Sequence, residues 1–479
     1  MKQKKSLTLN ATFNVIYRML NVVFPLISVA YISRVLEPAG VGKVADAQNF
    51  VSYFVLLAAL GTPRYGTRAI SQNRGDPEKI NRLFSELFCI NAISTAVCST
   101  AFIMLIMILA PAEPLIYLVC GVEILFNLIN IDWLYEGEEE YVYITVRSVV
   151  IKLVSLAALF LFVKDRQDYV AYAAVHCIGT CGNHIFNIIH AQKKVKLTFR
   201  GLNLKPHIKP ILVLAVSAVI GSIYSKVNVT LLGQLQRDEN VGFYTNAHKM
   251  VTLGVTLVTA ISAVFLPRLS YVYKKSKEEF SEFVTKGTKI LLLLAVPCAV
   301  GIALVAGDLV QAVFGELFMP SVLCLQIMTP IIVIMGIGDL LCYQTIISSE
   351  NEKLLVMSRI LAGVISIALN LLLIPRLQHN GAAIATLTCE LAVNGVLLPK
   401  ALSIASVKLN AKFILSIIAS TVVMAAVVLL VQHLCSHALV ALVLAVLGGV
   451  VAYVAMAVLT KNELVAYVID VVKQKTKKK

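Results

Sequence analysis

Long apolar blocks dominate this chain, and short polar stretches separate them. Each block is about as long as the roughly 20 residues of helix that cross a bilayer. The blocks predict helices over 9–33, 44–70, 83–110, 114–135, 141–163, 170–192 and 208–235. Seven more follow over 242–266, 284–306, 321–348, 354–374, 381–403, 411–433 and 438–459. No stretch between them is long enough for a separate soluble domain. The expected fold is therefore all-α and integral to a membrane, with about 14 transmembrane helices. Met1-Lys2-Gln3-Lys4-Lys5 ahead of the first block mimics a secretory signal. The block runs on to Ser33, however, and Asn14, Arg18 and Asn21 interrupt it, so it reads as a retained helix.

Composition agrees: 58% of residues are hydrophobic and only 14% charged, against about 25% charged in soluble domains. The net charge of +15 invites a nucleic-acid partner. Its distribution argues against one, because the charges punctuate apolar blocks and form no single patch. With both termini cytoplasmic, the inner segments hold 31 of the 42 Lys and Arg residues. That asymmetry is the positive-inside pattern, and a bacterial inner membrane fits it. The basic tail Lys473–Lys479 reads as a topology anchor or a contact with anionic lipid. The ten cysteines are scattered, mostly inside apolar blocks, as small buried hydrophobes.

The chain also repeats itself. Val41–Val51 aligns with Val241–Val251 at an offset of 200 residues without a gap. Pro63-Arg64 and Pro267-Arg268 close the two second helices, and Ser148–Arg166 weakly echoes Ser358–Arg376. The expected domains are a six-helix lobe over 1–200, a second over 201–405, and a helix pair with a basic tail over 406–479. Paired lobes around a central cavity are the architecture of carriers that alternate access.

No catalytic constellation is present. Gly40-Val41-Gly42-Lys43 lacks the spacing of a phosphate loop, and there is neither a zinc-protease motif nor a nucleophile elbow. His176, Cys177, Cys181 and His184 are the best metal temptation, but the reading is no metal and no cofactor. The informative residues are charges inside helices, each costing roughly 2.5–3.5 kcal/mol near a bilayer centre on insertion scales. Arg18, Lys152, Lys226 and Lys249 are such cations, and Glu123, Asp339 and Glu390 are acids fit for ion pairing or coupling. Lys289 sits close enough to an interface to snorkel. The excess of cations points to an anionic substrate. The acidic turn Glu136–Glu140 is either a solvated turn or a gate paired with basic loops.

At Asn14–Arg34, Gly40-Val41-Gly42, Leu60–Arg68 and Asp132–Glu139 the chain resembles the polysaccharide transporter family of flippases. That family lies in the superfamily that also holds multidrug extrusion pumps and lipid II flippases. The resemblance implies export of a polyprenyl-diphosphate-linked oligosaccharide from the inner to the outer leaflet. The partners it implies are that lipid, membrane lipid, and polymerase and other polysaccharide-assembly proteins. It places Arg18, Lys226 and Lys249 by helix in a central cationic cavity, with Arg34 and Arg64 as candidates at helix ends; Lys152 joins the cavity candidates as a charge inside a helix. It also gives the last helix pair a role in holding the lipid tail. The alternatives are a lipid II flippase and, less well matched, a multidrug cation antiporter.

Overall fold

A computed structural model describes residues 7–465 except 200, 263, 264, 274, 350 and 436. Side chains are placed from Phe24 onward, apart from residues 217, 223, 225, 266, 267 and 270. The structure is 87% helix with no strand among the described residues. Backbone polar groups are thus satisfied within helices, the condition for crossing hydrocarbon. The chain divides into two compact units, Met1–Lys226 and Val227–Lys479.

The first unit holds α1 (Leu7–Ala59), α2 (Thr62–Gln72), α3 (Pro77–Leu109) and α4 (Pro114–Phe126). It continues with α5 (Asp132–Gly137), α6 (Tyr141–Phe162), α7 (Tyr169–Ala191) and most of α8 (Lys205–Leu235). Helix α1 is two helices joined at one non-helical residue, Glu37, with φ 59°. The following Pro38 explains the break, since a proline ring disfavours α conformation in the residue before it. The loop expected between residues 33 and 44 therefore shrinks to a single-residue turn, and Gly40–Lys43 is helical.

The helix expected over 114–135 is likewise cut short, ending at Phe126. Buried Asn127 takes over there, donating to Asn91 Oδ1 at 2.9 Å and Thr95 Oγ1 at 3.0 Å. Asn91 in turn donates to the carbonyl that this break frees on Asn127. Prolines and caps set other starts: Asp76 accepts from the Lys79 amide at 3.2 Å, and Pro77 follows it.

Two apolar clusters hold this unit together. One joins the second half of α1 (Val44, Ala47, Val51, Ala58) to Phe102, Ile106, Ile116 and Ile124. The other gathers Ile70, Phe84, Leu87, Trp133, Tyr135 and Ile211 at the end where α2 meets α5. Two motifs of the sequence are halves of this second contact. A Cβ on Gly66 would lie 2.7 Å from the Trp133 ring, and one on Gly137 would lie 2.6 Å from Ile70.

Gly61 has less room still. A Cβ there would lie 2.4 Å from the Ile211 carbonyl and 3.0 Å from the Ala215 amide, both backbone atoms of α8. Gly61→Ala should therefore push α8 away and destabilise the protein by about 1–3 kcal/mol, measured as a fall in the thermal midpoint in detergent. An unchanged midpoint would mean that α8 does not press on this turn.

The second unit contains α9 (Asp238–Ser262), α10 (Leu266–Tyr273), α11 (Lys277–Leu304), α12 (Ala306–Val313) and α13 (Ser321–Met328). After α14 (Pro330–Gly338) a π-helical turn over Asp339–Gln344 leads into α15 (Thr345–Ser348). Helix α16 (Glu352–Ile404) breaks at Gln378, φ 52°, where a loop was expected over residues 375–380. The last pair, α17 (Ala411–Leu434) and α18 (Ala438–Leu459), packs through Met424, Val428, Ala445 and Tyr453 against Val305. Gln432 fastens it by donating to Asp308 at 2.6 Å, and the Tyr453 hydroxyl by donating to the Leu293 carbonyl at 2.8 Å.

The repeated segments keep one register. Val41, Gly42, Val44, Ala47 and Val51 are buried, and so are Val241, Gly242, Tyr244, Ala247 and Val251.

Eight helices among the described residues are long and apolar enough to cross a membrane. A ninth is added if α8, bent by 52° between Ser222 and Lys226, counts as one span. Large apolar side chains such as Val97, Met107, Ile108, Phe162, Leu430 and Val451 face outward from them. Water is the wrong solvent for such a surface. The chain is a multi-span membrane protein.

Candidate functional site

Within the first unit, Lys226 is held by the second half of α1. Its ammonium donates to Ser52 Oγ and lies 6.0 Å from the Tyr53 ring centroid. Its carbonyl accepts from Asn49 Nδ2 at 3.3 Å. Ser52 and Asn49 stand one turn apart on α1, so a single helix face meets both ends of the lysine. Among these contacts are a hydroxyl, an aromatic face and an amide. A half-buried cation of this kind suits a phosphate, which it meets as a point charge.

Glu123 lies on α4 of the same unit. It accepts from Thr180 at 3.1 Å and stands 3.3 Å from His176 Nδ1, both on α7. Lys226 is within its electrostatic reach. Lys152, on α6, is half-buried over the Phe24 ring at 5.8 Å.

Arg34 and Arg64 are both exposed and stand beyond opposite ends of the α1 segment 38–59. At 1.5 Å per residue that segment is roughly 33 Å long, so the two are not brought together. The side chain of Arg18 lies outside the described residues.

The remaining candidates are in the second unit. Lys249 is half-buried on α9, at the repeat position equivalent to Asn49, next to His248 with its ring stacked on Tyr244. Asp339 opens the π-helical turn and accepts from Gln344 at 2.8 Å. Glu390 is buried on α16. Lys289 differs from the snorkelling expected of it. It is buried and ion-paired with Glu463, which follows α18. An ammonium that finds a carboxylate at the helix end has no need to reach for water.

Two networks escaped a reading based on charge and spacing. Arg147 is buried, bonded to Asp132 at 3.1 Å and to Asn187, which itself holds Asp132. It lies near the start of α6, and its partner Asp132 comes from a different helix, α5. The other network is neutral. Asn228 donates to Thr386 at 2.8 Å and accepts from Ser366 at 2.7 Å and from Asn370. Amides and hydroxyls in an apolar helix carry no signal beyond their polarity.

The acidic turn is tied to basic groups. Lys194 bonds Glu138 at 2.9 Å and also Glu140, and Arg74 meets Glu139 at 3.1 Å and the Gly137 carbonyl at 2.6 Å. Burial disfavours the Lys194 charge, but hydrogen bonds to Glu140 and Glu138 outweigh it and hold its pKa above the ordinary value. The tempting metal ligands scatter: His176 and Cys177 turn to Glu123, and no group of three metal-binding side chains forms among the described residues.

Known proteins share both sequence and fold with this chain. An Escherichia coli K12 protein named "Putative O-antigen transporter" is 23% identical over 404 residues, 82% of this chain and 96% of its own length. The "Probable flippase AglR" of Haloferax volcanii is 33% identical over 171 residues, 34% of this chain and 35% of that one. Among solved structures, the lipid II flippase MurJ in an inward closed conformation matches with a TM-score of 0.77 at 15% identity. That match covers 96% of this chain and all of MurJ. An inward-facing multidrug resistance MATE family transporter matches with a TM-score of 0.65 at 13% identity, covering 82% of this chain and 97% of its own. These two establish the fold. Residues 7–273, more than half the chain, match the family described as polysaccharide biosynthesis protein, and the chain belongs to that family.

Proposed function

We propose that the chain is a flippase, not an enzyme. It moves a polyprenyl-diphosphate-linked oligosaccharide from the inner to the outer leaflet of a bacterial cell membrane by alternating access, for surface polysaccharide assembly. The observation that carries this reading is Lys226, a half-buried cation inside a membrane unit, bonded to Ser52 and Asn49 of α1, in a chain related to proteins named as transporters and flippases. Sugars and a diphosphate cross hydrocarbon only if polar groups replace their water. A cation held ready for phosphate does that at low reorganisation cost. Arg18, Lys152 and Lys249 extend the cationic lining, and Arg34 and Arg64 serve at opposite ends of the path.

Fourteen spans fit this reading. Each side of the kinks at Glu37 and Gln378 counts as a span, and α4, α7, the bent α8 and α9 join the remaining long helices. Both termini are then cytoplasmic, and polymerase and other assembly proteins receive the product outside. With the cytoplasm negative, export of anionic charge is downhill by about 2.3 kcal/mol per charge per 100 mV.

The likeness of fold to MurJ supports a second reading, a lipid II flippase. Depletion in the native cell separates the two. The first reading expects loss of a surface polymer and build-up of its lipid-linked unit, with peptidoglycan synthesis intact. Arrest of peptidoglycan synthesis would favour the second.

A further inference from the structure

The described residues that join α7 to α8 form no helix, and side chains of α3 hold their backbone. Asn81 Oδ1 accepts from the Lys196 amide at 2.8 Å, and Ser85 Oγ from the Thr198 amide at 3.0 Å. Glu86 Oε1 accepts from the Asn203 amide at 2.9 Å. Val195 is buried in the core at this end of the unit, whereas Leu197 and Phe199 are 42% and 68% exposed. Two large apolar side chains are thus held outward on a backbone that is tied down.

Their depth follows from α3. Outward apolar side chains on that helix run from Ile93 to Leu109, about 24 Å at 1.5 Å per residue. A hydrocarbon core of about 30 Å measured from Leu109 ends near Cys89. Ser85, roughly 6 Å further along the helix, then lies in the headgroup layer. It is Ser85 that holds Thr198, the residue between Leu197 and Phe199. Four lysines frame the apolar pair. Lys193, Lys196, Lys205 and Lys209 are all exposed, and none is in an ion pair among the described residues. Glu86 is bonded to Arg82 and His207 instead, and Glu138 and Glu140 to Lys194.

We propose that this segment is a docking site for anionic phospholipid: Leu197 and Phe199 insert at headgroup depth, and the four lysines hold headgroup phosphates around them. Apolar side chains gain by leaving water for the interface. An ammonium on a long apolar stem reaches phosphate from the same place, and each basic residue near an anionic surface adds to the attraction. Positive-inside bias alone accounts for the lysines, but it gives no reason for two outward apolar side chains between them. Lys205 and Lys209 lie in the first turns of α8, so bound lipid also braces the start of the helix that carries Lys226. The orientation proposed above decides only which leaflet is met, the inner one.

The test uses the full chain in symmetric vesicles of phosphatidylcholine with a minor fraction of phosphatidylglycerol, so neither orientation nor transport enters the result. Trp133, the chain's one tryptophan, is 1% exposed. Phe199→Trp adds a second indole, whose signal is taken by difference. Bromine near the top of the phosphatidylglycerol chains should quench that signal at least about threefold more than bromine on the same fraction of phosphatidylcholine, within the pull of one lysine at an anionic surface. Lys193→Gln, Lys196→Gln, Lys205→Gln and Lys209→Gln together should abolish the preference, and exposed exchanges of this kind leave a fold intact. Added farnesyl diphosphate should leave the preference unchanged. No quenching of the added indole by either lipid overturns the insertion. Equal quenching by both, or a preference that survives the four exchanges, overturns the anionic-lipid site. Loss of the preference to farnesyl diphosphate also overturns it, by assigning the lysines to a diphosphate.

Discussion

Asp132→Ala should destabilise the N-terminal unit by about 3–5 kcal/mol, the cost of leaving a buried charge without its partner. Its partner Arg147 has a side chain only 5% exposed, and a guanidinium cannot shed its charge by deprotonation. The opposite deletion should cost less. Arg147→Met leaves Asp132, which is 38% exposed and still hydrogen-bonded by Asn187, so water and an amide carry its charge. The order of the two, with Asp132→Ala the worse, is the informative result. It can be read from the temperature at which the buried thiols Cys120, Cys177 and Cys181 become reactive in detergent. Equal midpoints for the two variants would mean that the pair is solvated on both sides.

The second large effect is on transport. Lys226→Ala should lower the flipping rate at least about thirtyfold, equivalent to one charge-assisted hydrogen bond of roughly 2 kcal/mol or more. The ammonium is placed by Ser52 and Tyr53 on α1. Lys226→Arg keeps the charge and should retain part of the rate, because a fork of donors meets phosphate with different geometry from a point charge. Ser52→Ala should cost less than Lys226→Ala, since it loosens the ammonium without removing it. An unchanged thermal midpoint in detergent separates a transport defect from a folding defect. A Lys226→Ala variant that flips at the intact rate would remove Lys226 from the site.

Much of the fold could be read from the residues alone, for a simple reason. In a membrane the apolar length of a block is itself the structural signal, so the ends of α17 and α18 fall within a residue of expectation. The register of the repeat was legible too, because small and β-branched residues at 41, 44, 47 and 51 share a helix face. What hydropathy misses is any break that costs no apolar length. The turn at Glu37 occupies one residue, and the stop at Phe126 depends on where Asn91 and Thr95 of another helix lie.

The candidate site divides along the same line. A lysine in an apolar helix is visible in sequence as an energetic anomaly, and Lys226 was found that way. Its placement by Ser52 and Asn49, the His176 partner of Glu123, and the Asp132–Arg147 pair depend on contacts between residues 15 to 177 positions apart in the chain. Periodicity within one helix says nothing about those.

Flipping itself is the most direct test. The intact protein, reconstituted in liposomes with a polyprenyl-diphosphate-linked oligosaccharide and an imposed membrane potential, should expose the sugar on the opposite leaflet, and Lys226→Ala should do so at least about thirtyfold more slowly. No flipping by the folded intact protein, or flipping at equal rates by both, would contradict the account.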